Sequence, residues 1–192
     1  YLTEWGYDSD GVGEYCVPDR YHDSCVSELA SSVYGLRGLF MAAREGIDKA
    51  FWFFYANSKG CSTLFCRSGV TGSPEVNYKK KMVYYNFKAL LGLVGDMHFL
   101  DVVKQDEDAY IYLLGDAQQK PTFIVAWLPI DGNSATQQKV QVTIPNINAQ
   151  ETFAWKFLGT EAGVEKVANL FTANGNSWTI TVNASPILIN VA

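Results

Sequence analysis

Residues 47–55 read IDKAFWFFY, and this stretch decides the first part of the fold. From Ala50 onward the run is apolar on both faces instead of alternating between apolar and polar side chains. A strand without alternation is typical of parallel sheets covered by helices, because both of its faces are buried. We therefore predict a buried strand over residues 47–55.

A helical pattern precedes this strand. Residues 24–45 carry apolar side chains at helical spacing. Ser24 or Ser27 is a suitable cap, and Gly46 follows in the position that a left-handed helix end prefers. The predicted buried stripe consists of Leu29, Val33, Leu36, Phe40 and Met41. Arg37 lies in the same helix and is predicted to be solvated.

The whole first half has the same alternating plan. A short strand segment over residues 1–3 ends at Glu4, and a second helix is predicted over residues 79–93. Residues 1–95 therefore read strand, loop, helix, strand, loop, helix, which is the repeat of a parallel α/β fold. The lysine run 79–81 is predicted to be the solvated start of the second helix.

The second half changes to a period of two residues. Turn residues separate the candidate strands at intervals typical of an antiparallel β-sandwich. Asp131-Gly132 and Asn174-Gly175 are hairpin-type signals. The predicted strands are 97–104, 109–115, 122–128, 139–144, 152–158, 164–171, 177–182 and 187–191.

Composition excludes several classes of protein. Among the 192 residues, 48% are apolar and 18% charged, which does not fit low-complexity disorder. The net charge of −5 gives no broad positive surface for nucleic acid. No apolar run approaches the roughly 18–20 residues that span a bilayer.

The four cysteines lie in the first third of the chain, in Gly/Ser/Asp-rich loops. We predict two local disulfides, Cys16 with Cys25 and Cys61 with Cys66, and therefore a secreted or extracytoplasmic protein. Reduced thiols in a cytosolic protein remain an alternative. A zinc site is a weaker reading, because neither cysteine spacing is typical of zinc ligands.

Two strand ends carry residues suited to a binding site. Glu4 closes the first strand and is followed by Trp5, Gly6, Tyr7 and Asp8. In parallel α/β folds ligands meet the carboxyl ends of strands, where the second strand presents Trp52 and then Asn57. Aromatic faces beside carboxylates and amides suit a carbohydrate. The alternatives are an ordinary solvated Glu4 and a Trp52 that is part of the core.

Residues 2–8, LTEWGYD, resemble the seventh-strand motif of clan A retaining glycoside hydrolases, where a Thr-Glu-Phe/Trp-Gly segment presents the nucleophile. Residues 36–50 resemble the helix and return into the eighth strand, and residues 51–54 resemble that strand. Residues 68–95 are similar to the final loop and barrel helix. The sandwich resembles the C-terminal β-domain that many of these barrels carry, so the resemblance spans nearly the whole chain.

The resemblance implies an α/β plus all-β chain. Residues 1–95 would form the last two βα units of a (β/α)8 TIM barrel, and residues 96–192 an antiparallel β-sandwich. Glu4 would be the catalytic nucleophile of retaining hydrolysis of an oligo- or polysaccharide. The substrate-binding residues would be Trp52, Trp5, Tyr7, Asp8 and Asn57. No metal or organic cofactor is required.

The acid/base glutamate of this clan follows an Asn, and no Asn-Glu pair occurs in the chain. We therefore expect the rest of the barrel, upstream or on a partner fragment, to supply it, and the chain alone to be inactive. Two alternatives stay open. The chain is a non-catalytic module for carbohydrate binding, adhesion or structure, or an unrelated α/β-plus-sandwich protein in which Glu4 is exposed with no cleft beside it.

Overall fold

The structure is a computed structural model that describes residues 1–13, 25–60, 65–147, 151 and 153–192. Cys16 and Cys61 of the predicted disulfides and the alternative cap Ser24 lie outside the described residues. The elements of the first half are β1 (Leu2–Trp5), β2 (Ser9–Asp10), β3 (Val26–Ser27), α1 (Glu28–Arg44), β4 (Ala50–Trp52), a 3-10 helix (Pro74–Val76) and α2 (Met82–Val94).

The strands of the second half follow without an intervening helix in the described residues. They are β5 (His98–Gln105), β6 (Tyr110–Gly115), β7 (Pro121–Trp127), β8 (Gln137–Thr143), β9 (Phe153–Phe157), β10 (Val164–Ala168), β11 (Phe171–Asn174), β12 (Ser177–Asn183) and β13 (Ile187–Asn190).

The described chain divides into two compact units. The first consists of Tyr1–Ala89 with Leu158–Gly163, and the second of Leu90–Phe157 with Val164–Ala192. Helix α2 contributes residues to both units, so the domains drawn from the sequence at 1–95 and 96–192 stay a prediction. No helix in the described parts of the chain is both long and apolar enough to cross a membrane.

The first unit contains a parallel strand–helix–strand arrangement. Strands β1 and β4 pair in parallel, with α1 between them along the chain. The predicted cap Ser27 is confirmed, because its Oγ accepts a hydrogen bond from the amide of Ala30 at 3.0 Å. Gly46 has φ +67° just after the helix, as a left-handed end requires.

Three expectations for this unit are wrong. Strand β4 covers three residues instead of nine, and Phe51 in it is 53% exposed, because within the described residues β4 has a strand neighbour on one side, β1. In α1 the side chains of Leu29 and Met41 are exposed, while the central part of the predicted stripe is buried. Arg37, predicted to be solvated, is also buried and lies over the ring of Tyr34.

Helix α2 begins on a carboxylate from the other helix. The Oε1 atom of Glu28, the first residue of α1, accepts a hydrogen bond from the amide of Met82 at 2.6 Å. An acceptor at this point pairs with an amide that has no partner within the helix. A carboxylate here also interacts favourably with the positive end of the helix dipole. The Oδ1 atom of Asn86, one turn later, accepts from the amide of Gly159 at 2.8 Å.

The second unit is a sandwich of two antiparallel sheets. Among the described residues one sheet has the order β10-β9-β13-β7-β6-β5, and the other the order β11-β12-β8. Side chains from both sheets form one buried core that includes Ile124, Ile189, Trp178 and Ile180. This shared core confirms the predicted sandwich.

The predicted strands agree closely with those observed, with one split. The strand predicted over residues 164–171 is two strands, β10 and β11, which belong to different sheets. The break lies at Asn169, whose φ of +63° turns the chain away. Asn174-Gly175 forms the predicted hairpin between β11 and β12. Asp131-Gly132 does not form a hairpin, because it connects β7 in one sheet to β8 in the other.

Candidate functional site

The carboxyl ends of β1 and β4 lie side by side in the first unit. The amide of Phe53 donates to the carbonyl of Trp5 at 2.7 Å, directly after the last paired residues of the two strands. A Cβ on Gly6 would lie 2.5 Å from the carbonyl oxygen of Phe53. The two backbone segments that follow β1 and β4 therefore approach this closely only because residue 6 is a glycine.

An open cleft lies at this meeting point. It is lined by Glu4, Trp5, Gly6, Phe53 and Phe65, and its volume is about 120 Å³. The side chain of Glu4 is exposed, so its carboxylate is accessible from solvent. The cleft therefore combines one accessible carboxylate with aromatic walls, which is the chemistry that a saccharide requires.

Behind the cleft the aromatic residues form a packed cluster. Trp5 and Trp52 meet edge to face with ring centroids 4.9 Å apart, and Trp52 meets Phe87 of α2 in the same manner at 5.2 Å. Helix α1 makes room for the cluster through two glycines. A Cβ on Gly38 would lie 2.3 Å from the Trp5 indole, and one on Gly35 would lie 3.0 Å from the Phe87 ring.

Trp52 itself lies in this cluster and does not line the cleft. Its side chain is partly buried, and its indole N–H donates to the carbonyl of Ser68 at 2.6 Å. Trp5 does line the cleft, while its indole nitrogen is buried without a hydrogen-bond partner among the described residues. Of the residues predicted from the sequence, the structure thus brings Glu4 and Trp5 together on the cleft.

Tyr7 lies beside the aromatic cluster. Its ring centroid is 5.2 Å from that of Tyr34 and 6.1 Å from that of Trp52. Burial raises the pKa of the Tyr7 phenol above 10.0, and the nearby Tyr34 raises it further, while the positive charge of Arg37 lowers it. The phenol therefore stays protonated at neutral pH and is available as a hydrogen-bond donor.

The other two predicted binding residues hold backbone segments in place. The carboxylate of Asp8 accepts from the amides of Phe65 and Arg67, at 2.6 and 3.0 Å. Asn57 is buried, and its Oδ1 atom accepts from the amide of Gly69 at 3.0 Å. Both side chains have contacts expected of residues that shape loops around a site.

Phe53 and Phe65 line the cleft and were not predicted as site residues. The apolar run predicts that Phe53 belongs to the core, but the strand ends at Trp52, and the next residue faces the cleft. Phe65 is a large aromatic residue in a loop of small and polar residues. That contrast is the one signal in the sequence that could have indicated it.

The two described cysteines are oxidised. Cys25 and Cys66 are each disulfide-bonded, and no cysteine in the described residues is a free thiol. Because Cys16 and Cys61 lie outside the described residues, the predicted pairing stays a prediction. The described part of the chain contains no group of three or more His, Cys, Asp or Glu that could hold a metal ion.

Comparison with known proteins places this fold. No protein-family model and no curated protein sequence matches the chain. Among solved structures, it is similar to a family 39 glycoside hydrolase from the gut symbiont Bacteroides cellulosilyticus WH2, with a TM-score of 0.63 at 14% identity. That match covers 86% of this chain and 31% of the hydrolase chain.

Two xylanase structures are also similar. The catalytic domain of GH30 xylanase C from Talaromyces cellulolyticus gives a TM-score of 0.61 at 11% identity, covering 98% of this chain and 39% of that one. A GH30 endoxylanase from Clostridium papyrosolvens C71 gives 0.56 at 13%, covering 100% and 41%. The chain therefore has a fold found in glycoside hydrolases, and it spans about a third to two fifths of their length.

Proposed function

We propose that this chain is part of a retaining glycoside hydrolase that cleaves a polysaccharide or oligosaccharide outside the cell. The cleft carries the proposal, because it places the accessible carboxylate of Glu4 at a strand end beside the aromatic rings of Trp5, Phe53 and Phe65. The similarity to family 39 and family 30 hydrolases supports it. The parallel pair β1 and β4 would be the seventh and eighth strands of a (β/α)8 barrel.

Glu4 would act as the nucleophile in two displacements. In the first, its carboxylate oxygen bonds to the anomeric carbon while the bond to the leaving oxygen breaks, and an acid residue protonates that oxygen. In the second displacement, the residue that acted as the acid now acts as a base and takes a proton from water. The water oxygen attacks the anomeric carbon, and the bond to Glu4 breaks. Water and one glycosidic bond are consumed, and Glu4 is regenerated.

The acid/base residue would come from outside this chain. Among the described residues Glu4 is the one carboxylate that lines the cleft. A retaining enzyme requires a second carboxyl group about 5–5.5 Å from the first. We propose that further barrel strands, upstream in the same polypeptide or on a partner fragment, provide it. The proposed disulfides, Cys16 with Cys25 and Cys61 with Cys66, fit an extracellular protein.

The experiment that tests this proposal is covalent trapping in the complete protein. A 2,4-dinitrophenyl 2-deoxy-2-fluoro-β-xylobioside should form an ester with the nucleophile, and mass spectrometry of peptides should place the adduct on Glu4. Glu4→Gln should abolish labelling and lower turnover of xylan by several orders of magnitude. Glu165→Gln, the same change on the exposed strand β10, should label and turn over like the unmodified protein.

The same single carboxylate favours a second candidate function, a non-catalytic carbohydrate-binding module. In that case the complete protein retains xylo-oligosaccharides, but it neither hydrolyses β-linked substrates nor takes up the label. Labelling of another carboxylate, with normal turnover in Glu4→Gln, would remove Glu4 from the mechanism and leave the hydrolase assignment in place.

A further inference from the structure

A short backbone segment connects the cleft with the aromatic cluster behind it. At one end of residues 65–68, the side chain of Phe65 lines the cleft next to Glu4. At the other end, the carbonyl of Ser68 accepts the indole N–H of Trp52 at 2.6 Å. The position of this segment therefore determines both the wall of the cleft and the orientation of Trp52.

The segment has a conformation that needs support from outside. Phe65 has φ +68°, a left-handed conformation that is unfavourable for a large side chain. Within the segment, the amide and the hydroxyl of Ser68 both donate to the carbonyl of Phe65, at 3.3 and 2.6 Å. These local bonds close a turn but do not fix it to the rest of the unit.

Asp8 provides one attachment. One carboxylate oxygen accepts from the amide of Phe65 at 2.6 Å, and the other accepts from the amide of Arg67 at 3.0 Å. Hydrogen bonds from backbone amides to an ionised carboxylate are stronger than those between neutral groups. Asp8 lies four residues after Glu4, so the bonds connect the segment to the strand end that carries the proposed nucleophile.

Lys81 provides a second attachment, at the carbonyl of Arg67. It is fully buried, and its ammonium group donates to the carbonyl of Arg67 at 2.6 Å, the Oγ of Ser9 at 3.2 Å and the carbonyl of Ser9 at 3.4 Å. A buried ammonium is costly unless its donors are satisfied. The sequence-based expectation that Lys81 is a solvated residue at a helix start is therefore wrong.

We propose that Asp8 and Lys81 are positioning residues for the Glu4 cleft. They bind residues 65–68 with a negative group on the amides and a positive group on the carbonyl of Arg67, in addition to the backbone bond from the amide of Ser58 to the carbonyl of Cys66 at 3.0 Å. Through this segment they keep Phe65 against the cleft and Trp52 in its orientation. The effect on saccharide binding rests on the proposed function, whereas the effect on the segment does not.

Hydrogen exchange tests this positioning. The exchange rates to measure are those of N–H groups that do not bond to the substituted side chain, because a change there must be transmitted through residues 65–68. In Lys81→Met, the amide of Phe65 and the indole N–H of Trp52 should exchange at least about tenfold faster, while amides of β6 and β7 keep their rates. In Asp8→Ala and the milder Asp8→Asn, the Trp52 indole should respond in the same direction. The matched controls are Lys79→Met and Asp10→Ala, exposed residues of the same charge.

Two exchange results would overturn the proposal. In the first, the Trp52 indole keeps its rate in all three variants although they unfold at lower temperature, which makes Asp8 and Lys81 stabilising residues only. In the second, every amide of the first unit accelerates together, which indicates global unfolding. If Lys81→Met does not fold, Asp8→Asn decides between these results, because it preserves the shape of the side chain.

A titration with xylohexaose separates positioning from stability. In Asp8→Asn the dissociation constant should rise about tenfold, which corresponds to about 1.4 kcal/mol. Val33→Ala, a buried change in α1, should lower the melting temperature without changing that constant. An unchanged constant in Asp8→Asn would contradict the proposal for the cleft. If the unmodified protein does not bind xylohexaose, the proposed function fails for this ligand and hydrogen exchange alone decides the positioning.

Discussion

Each of the two units of this chain is stabilised internally by a different kind of contact. In the sandwich, apolar side chains from two sheets meet in one core that includes Ile124, Trp178 and Ile180. In the first unit, a parallel strand pair is completed by a tryptophan cluster and by buried polar groups such as Lys81. The comparison teaches that the unit with the candidate site adds a few specific polar and steric contacts to its apolar packing, whereas the other unit depends on apolar area.

The largest effect is expected from a change in the sandwich core. Trp178 is fully buried in β12 and stacks on Phe171 with ring centroids 5.7 Å apart. Trp178→Ala should lower the free energy of unfolding of the sandwich by about 3–5 kcal/mol, because the change leaves a large cavity. Urea unfolding, followed by hydrogen exchange in β12 and β8, would measure this loss.

A surface change on the paired strand is the control. Thr172→Ala, at an exposed position opposite Thr179, should change the free energy of unfolding by less than about 1 kcal/mol. Equal losses from Trp178→Ala and Thr172→Ala would contradict the account of the sandwich as an apolar core.

This difference also explains what the sequence could predict. In the sandwich, strands alternate between core and surface, so the period of two residues located them to within one or two residues. The failure at residues 164–171 arose because a single apolar pattern continues across Asn169, where the chain passes between sheets. The sheet to which a strand belongs depends on backbone turns that the apolar pattern does not encode.

In the first unit the sequence predicted the position of the first strand and the helix cap, but neither the end of β4 nor the contacts between distant segments. Glu4 and Trp5 could be predicted because they lie at the carboxyl end of a strand. The roles of Asp8 and Lys81 depend on a segment about 57 and 14 residues away along the chain, and no local period reports such a pairing. Phe65 joins the cleft by the same long-range closure.

A steric change in the first unit should have an intermediate effect. Gly38→Ala places a Cβ 2.3 Å from the Trp5 indole, and relief of that clash should cost about 1–3 kcal/mol of unfolding free energy. The better helix propensity of alanine offsets about 1 kcal/mol of the loss. Urea unfolding followed by tryptophan fluorescence would measure it, because the clash displaces Trp5.

Gly92→Ala is the matched control for this substitution. It lies in α2, and a Cβ there meets nothing within 4 Å, so helix propensity alone should stabilise the protein by roughly 0.5–1 kcal/mol. Stabilisation by both substitutions would mean that Trp5 has room to move and that a glycine at position 38 is not required for the aromatic cluster.

The smallest effect is expected at high pH, and it concerns Tyr7 in the first unit. Its pKa is raised above 10.0, chiefly by burial, whereas the unfolded chain has the ordinary value. Folding therefore disfavours the ionised phenol. The associated stability is fully present below about pH 10 and decreases as pH rises through the raised folded pKa. Tyr7→Phe should remove this decrease, which unfolding free energies between about pH 9 and 11.5 would show.

Tyr55→Phe, a change at a tyrosine that is 72% exposed, should leave the pH profile unchanged. An unchanged profile in Tyr7→Phe would instead assign any alkaline loss to other groups and leave the aromatic cluster as a steric, not an electrostatic, feature of the first unit.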